Sequence, residues 1–338
     1  MGVATFDVVQ ASAFIGADFV TQGKTRFVRP RTGLGQGGQG YSPQAALTTL
    51  LRAQALAKAN QNDVVRLMAE GNSGGNTAGT YWCTDYQAAT LDWAKDGVHL
   101  IGANAGPMMS HRSRIAFAAD YAAVSNLMTV SAHGCRFENI EFYAGVVSAN
   151  PTGCLKVTGN RNVFVNCHIA GIGHDNNDIT DAYSLYLSGS ENIFKHCTIG
   201  LDTIKRGSAS NAEIIMGGAS PTPIAARNIF EDCVILTWAE ANTHHFLRRP
   251  ATGHDRMLLF RNCLFLNVGT NATAGVTMLE ALDVTAGGHS GYIVLDNCWY
   301  KGALNWETAS GVSGIVYSTG NVPVVSTGSG LALAVTGA

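Results

Sequence analysis

The chain has 338 residues, with 22 Lys and Arg against 24 Asp and Glu for a net charge of −2, and 46% of its residues are apolar. A chain this apolar has enough surface to bury and is not disordered, while its balanced charge argues against a partner held through many phosphates, which requires a surplus of basic side chains. Only 14% of the residues are charged, against about 25% in ordinary soluble domains, so many positions must serve something other than a charged surface.

Residues 1–24 open with MGVATFDVVQASAFIGADFV. This stretch has neither a basic n-region nor a long apolar run, so no secretory signal and no transmembrane helix is expected. It reads as an N-terminal arm, packed on the body of the protein or docked on another chain. Residues 25–97 read as an N-terminal capping region. It starts with a strand, RFVRP from Arg26, and continues with GLGQGG from Gly33. That segment matches GxGxxG, but no βαβ pattern follows, so it is a turn rather than a nucleotide site. A helix is expected over residues 43–58, with Ser42 as N-cap and Pro43 at the first helical position. NDVVRLMAEG from Asn62 and DGVHLIGAN from Asp96 complete the region.

From residue 98 the chain repeats. GCRFENIEF, NVFVNCHIA, NIFKHCTIG, NIFEDCVIL, LLFRNCLFL and IVLDNCWYK align on Asn139, Asn166, His196, Asp232, Asn262 and Asn297. The next residue is Ile140, then Cys167, Cys197, Cys233, Cys263 and Cys298. Strand-like segments that alternate polar and apolar residues precede each unit, at Asn126, Cys154, Ser184, Glu213, His245 and Met278. A repeat of about 30 residues with short strands and tight turns builds a solenoid in which each coil stacks on the last at about 4.8 Å. Phe137, Phe164, Phe194, Phe230, Phe260 and Leu295 then form one inward column, and the Ile/Cys positions form another. The residues between, Glu138, Val165, Lys195, Glu231, Arg261 and Asp296, face outward, with their last four members alternating in sign. The cysteines read as small core residues rather than a redox or metal array.

These motifs resemble the pectate-lyase-like superfamily of right-handed parallel β-helices, over about residues 98–338. The resemblance implies an all-β, single-stranded right-handed parallel β-helix, with asparagines stacked as a ladder at one turn. About seven coils are expected beyond the helical N-terminal cap, with coils over 98–313 and a last coil or C-terminal cap over 314–338. The start of the chain also resembles that of many β-helix proteins, with Arg29 where such sequences often carry an acidic residue.

Chemistry is sparse. GIGHDNNDITD supplies three candidate catalytic carboxylates, Asp175, Asp178 and Asp181, beside His174. Polysaccharide hydrolysis needs two carboxylates across one groove, and a lyase needs a base, for which Lys205 and Arg206 lie one coil away in chain order. Asp and Asn at this density equally serve as turn formers. His244, His245 and His254, with Arg248, Arg249 and Arg256, read as a basic loop, and Trp299 with Trp306 as a small aromatic patch near the C-terminus. No cofactor and no metal site is expected.

In character the chain is most similar to bacteriophage virion β-helices. That resemblance implies a structural virion protein assembled in the host cytoplasm, most readily a capsid decoration or cement protein. Its partners would be the major capsid protein, another virion protein or copies of itself, with a trimer among the options and neither nucleic acid nor membrane. The alternative is a tailspike or pectate-lyase-like enzyme that binds or degrades a polysaccharide. The uncharged tail from Gly320 is expected to be covered.

Overall fold

The computed structural model describes residues 23–30, 38–68, 83–103, 113–118, 124–147, 151–208, 210–217, 225–250, 254–271, 276–284, 291–307 and 316–319. Most of the arm, most of the Gly-rich turn and the tail from Gly320 lie outside them.

Three walls of parallel strands, ten, nine and seven strands tall, wind into a right-handed parallel β-helix. One coil passes from the seven-stranded wall to the ten-stranded wall and then to the nine-stranded wall, as in Gly153–Val157, Val163–Val165 and His168–Ile172. The capping region is built into this stack. Thr25–Val28 pairs with Val64–Leu67, which pairs with His99–Gly102, so these strands are the first rungs of the tallest wall.

The repeat columns stack as their spacing predicts. Phe137, Phe164, Phe194, Phe230 and Phe260 are fully buried, each ring centroid 4.7 Å from the next. Leu295 continues the column, also fully buried. The aligned turn residues from Asn139 to Asn297 all adopt left-handed backbone, with φ between 49° and 56°. Asn tolerates this region because its short amide bonds locally, and here the amides bond along the stack. Asn166 Nδ2 donates to Asn139 Oδ1 at 2.7 Å, and Asn297 Nδ2 to Asn262 Oδ1 at 2.8 Å. Asp232 substitutes as an acceptor for Asn262 Nδ2. On the outward column Lys195 meets Glu231 at 3.4 Å and Arg261 meets Asp296 at 3.1 Å, exposed pairs each worth about 0–1 kcal/mol.

The cysteines have a more definite role than filling space. Cys135, Cys154, Cys167, Cys197, Cys233, Cys263 and Cys298 are buried free thiols. Those of Cys167, Cys197, Cys233, Cys263 and Cys298 each reach the Phe carbonyl of the preceding coil at 3.4–3.6 Å. Cysteine thus supplies a small apolar volume and a weak donor at one position.

A second ladder lies inside the opposite turn. Asn162, Asn192 and Asn228 are at most 1% exposed. Asn192 Oδ1 accepts from Asn162 N at 2.9 Å, and Asn228 Oδ1 from Asn192 N at 2.8 Å. Their Nδ2 groups donate to the carbonyls of Ala132, Gly159 and Gly189. Buried backbone groups at this corner are satisfied by side chains. The sequence carried a signal for it, an Asn two residues before Phe in three successive units.

The helix is shorter than the sequence predicts. Residues 43–58 do not form one helix: Ser42 caps a turn to Ala45, Leu47 bridges to Val28, and the helix runs over Leu50–Leu56 with Thr49 as N-cap. Joining Leu47 to the first rung wins over extending the helix, because Leu47 is then fully buried. The buried Asp85 carboxylate ties the helix to the stack by accepting from Leu50 N at 3.0 Å and Gln87 Nε2 at 2.7 Å. Burial pushes the Asp85 carboxyl up to about 6, against the opposing effect of those two bonds. A folded value above the unfolded one means that its stabilising contribution is full below the ordinary carboxylate range and is lost as pH rises through about 6. Hydrogen exchange of the helix amides is therefore expected to slow as pH falls through this window, after correction for intrinsic rates. In Asp85→Asn the pH-dependent part disappears.

Candidate functional site

Three connections between the nine-stranded and seven-stranded walls lie on successive coils and meet on one flank of the stack. They are residues 173–182, 200–208 with 210–211, and 240–244. The second is held down by a two-residue strand, Lys205–Arg206, which pairs with Trp238 and Ala239. This pairing turns Arg206 inward, where it is 2% exposed, and leaves Lys205 on the outer side.

Arg206 organises a buried polar cluster. Its Nε donates to Asp178 Oδ1 at 2.8 Å, its Nη1 lies 3.3 Å from Glu213 Oε1, and its Nη2 donates to the Ala182 carbonyl at 3.0 Å. Glu213 is fully buried and also accepts from the Ser184 hydroxyl and from Thr237 Oγ1 at 2.8 Å. His244, 1% exposed, has Nε2 3.4 Å from Glu213 Oε1 and Nδ1 2.7 Å from Asn211 Oδ1. Because Asn211 Nδ2 donates to Asp178, Asn211 Oδ1 is the acceptor and His244 Nδ1 carries the proton. Burial alone would raise the Glu213 carboxyl, but Arg206, followed by His244 and Ser184, outweighs it and holds the group at about 2. Burial depresses the His244 imidazole against the pull of Glu213.

The three candidate carboxylates occupy different positions. Asp178 lies at the edge of the cluster, and its carboxylate is saturated. Oδ1 accepts from Arg206 Nε and Asn211 Nδ2, and Oδ2 accepts from Gly207 N at 2.8 Å and Ser208 N at 3.0 Å. A carboxylate offers about four acceptor directions, and all four are used to fasten one loop to the next. Asp181 is exposed, in left-handed backbone, and pairs with Arg248 at 2.6 Å. Asp175 is exposed at the start of the 3-10 turn Asp175–Asn177, with His174 as its N-cap.

Above the cluster is a cleft of about 500 Å³ lined by Asp175, Asp178, Thr203, Lys205, Ser208, Trp238 and Glu240. The structure therefore brings Lys205 and Arg206 to the Asp loop, but on opposite sides of it. Arg206 lies beneath, and Lys205 stands in the cleft 3.4 Å from Glu240 and 5.9 Å from the Trp238 ring centroid.

Two sequence readings need correction. The expected basic loop is two strands, His245–Arg249 and His254–Arg261, and the alternation of the first buries Arg249 completely. His244, at its entrance, belongs to the polar cluster. Trp306 is fully buried, packed edge-on to Phe265 and Tyr300, so it makes no surface patch with the exposed Trp299. The sequence reading missed Glu213, Thr237, Ser184 and Asn211. Its available signal was Glu213 in an apolar strand, at the level occupied by Ser184 on the coil before.

No protein-family model matches the chain, and no curated protein matches it in sequence. Solved structures do match in fold. The pectate lyase Pel9A superposes with a TM-score of 0.54 at 14% identity, over 83% of this chain and 64% of that one, so the present chain spans under two thirds of its length. A pectin methylesterase from Aspergillus niger gives 0.47 at 14% identity, over 88% and 81% of the two chains. ORF18 of Geobacillus virus E2 gives 0.45 at 11%, over 76% and 50%. The chain has the pectate-lyase-like right-handed parallel β-helix fold, and at these identities the likeness extends to the fold alone.

Proposed function

We propose that the chain is a structural protein of a bacteriophage particle, a capsid decoration protein whose β-helix docks on the major capsid protein and reinforces the shell without chemistry. The observation that carries the structural part of this reading is the saturation of Asp178. Of the carboxylates read from the sequence as candidate acids or bases, the one bonded to the buried cluster, Asp178, has each acceptor direction committed to the neighbouring loop. A general acid or base must instead present a free lone pair or proton to the substrate. Asp181 is likewise engaged, with Arg248. The Asn, Phe and Cys ladders support the same reading, since they make a rigid rod with fixed register. The virion context rests on the sequence's resemblance to phage β-helices.

Mass spectrometry of purified particles tests the proposal. The chain is expected among the head proteins, and particles assembled without it are expected to rupture at lower temperature. Absence from particles would overturn the reading. So would depolymerisation of a host polysaccharide by the purified protein, lost in Asp175→Asn.

A further inference from the structure

The turn that carries the inner asparagine ladder also shapes a cleft on its outer side. Arg161, Glu191 and Arg227 stand immediately before the ladder residues Asn162, Asn192 and Asn228, and each adopts left-handed backbone, with φ of 59°, 60° and 53°. With the asparagines turned inward, these three side chains form an outward column on successive coils, stacked at the strand spacing of about 4.8 Å. Together with His133, Asn160 and Ser190 they line a cleft of about 240 Å³.

The acceptors of this lining are spent within the protein. Glu191 Oε2 accepts from Arg161 Nε at 2.6 Å, and Glu191 Oε1 from Arg227 Nη2 at 2.5 Å. Asn160 Oδ1 accepts from Ser190 N at 2.7 Å, Ser190 Oγ from Ala226 N at 3.2 Å, and His133 Nδ1 from Asn160 N at 3.0 Å. What the cleft still offers is donors. A guanidinium has five N–H groups, and each of these two commits one to Glu191. His133, whose Nδ1 accepts a bond, carries its proton on Nε2 when neutral, and Asn160 Nδ2 has no acceptor among the described residues.

The charges lean the same way. Hydrogen bonds from Arg161 and then Arg227 hold the Glu191 carboxyl below its ordinary range, so it stays ionised and two guanidinium charges face one carboxylate. Because both guanidiniums close on that carboxylate, they are held side by side before any ligand arrives, and a pre-organised pair loses less on association. A cation finds no unspent acceptor here and meets a positive excess. An oxyanion finds the reverse, and a phosphate group, with about two charges and three strong acceptor oxygens, uses more of the donors than a carboxylate does.

We infer that this cleft is a binding site for one phosphate group, clamped by Arg161 and Arg227 and bonded at its edge by His133 and Asn160. The inference goes beyond the structural reading and does not rest on it. A single phosphate is compatible with the balanced charge of the chain, which argues only against a partner held through many.

The test is phosphorus NMR on the full chain at constant ionic strength, with inorganic phosphate and glycerol phosphate as separate probes. Inorganic phosphate at millimolar concentration is expected to broaden on binding. Arg161→Gln and Arg227→Gln are each expected to weaken binding about tenfold, the loss of a hydrogen bond between charged groups, with unchanged circular dichroism because both side chains are exposed. Glu191→Gln removes the opposing charge and is expected to tighten binding several-fold, a gain that a damaged fold would not give. Arg256→Gln, at an exposed arginine on the next coil outside the cleft, is expected to leave binding unchanged. Broadening of both probes assigns the site to a phosphate ester, and broadening of inorganic phosphate alone assigns it to the free ion. No broadening of either probe, equal competition by acetate or chloride, or binding that survives both arginine variants would overturn the inference while leaving the structural reading intact.

Discussion

Arg206→Met is expected to lower the stability of the protein by about 3–5 kcal/mol at neutral pH, the usual cost of removing one partner from a buried ion pair. The guanidinium is 2% exposed and sits between Asp178 and Glu213, of which Glu213 is fully buried. Removing it leaves two carboxylates without their cation and the Ala182 carbonyl with only the Ala212 amide as donor. The Arg206→Met/Glu213→Met double variant is expected to recover part of this loss, since an apolar pair of similar size avoids the uncompensated charge. Urea unfolding of the two single variants and the double variant, compared as a cycle, measures the coupling. If the single changes add without coupling, Arg206 does not hold the cluster together.

The same variant is expected to invert the pH dependence. In the native protein Glu213 is held at about 2, below its ordinary value of 4.5. The stability it contributes is therefore present above pH 4.5 and is lost as pH falls toward 2. Without Arg206, burial dominates and the Glu213–His244 pair binds a proton more tightly in the folded than in the unfolded chain. Its effect is then most favourable at low pH and is lost as pH rises. The difference in stability between native protein and variant is expected to narrow steadily from neutral to acid pH. A constant gap would show that the variant's defect is one of packing.

What the sequence reveals and what it hides follow from the geometry of a coil. Phe164, Phe194 and Phe230 are visible as a column because each occupies the same place in its unit and the ladder puts like on like. Asn166 and Asn262 are visible for the same reason. The Arg206 cluster breaks this rule. Ser184 and Glu213 share a level on one wall but differ in residue type, while Thr237 lies on another wall and His244 in a connection, so no single repeat position marks the cluster. Asp178 was legible as a polar loop residue, but its saturation depends on the neighbouring coil's Gly207 and Ser208 amides, which spacing alone does not place. The start of the helix was misread because Ser42 and Thr49 are both good caps, and only the bridge between Leu47 and Val28 decides between them.

Phe194→Ala is expected to cost about 3–5 kcal/mol, the range for removing a buried aromatic side chain, and Phe194→Leu less, about 1–3 kcal/mol for the two aromatic pairs it gives up. Phe194 lies between Phe164 and Phe230, stacked at 4.7 Å on either side with interplanar angles of 6° and 7°. That spacing is the strand spacing itself, so the rings cannot move closer to fill a gap unless the backbone shifts. The backbone is pinned on both sides, by Asn192 bonded to Asn228 and Gly159 at one turn and by the Cys197 thiol on the Phe164 carbonyl at the other. A cavity left by Ala therefore stays open, and the two neighbouring rings each lose a face. Leu fills most of the volume, as Leu295 does in the same column. It forfeits mainly the ring–ring contributions with Phe164 and Phe230, about 0.5–1.5 kcal/mol for each aromatic pair. Thermal and urea unfolding of the two variants measure both effects. Equal losses for Ala and Leu would mean that the column collapses around a missing ring and that the ladders do not fix its register.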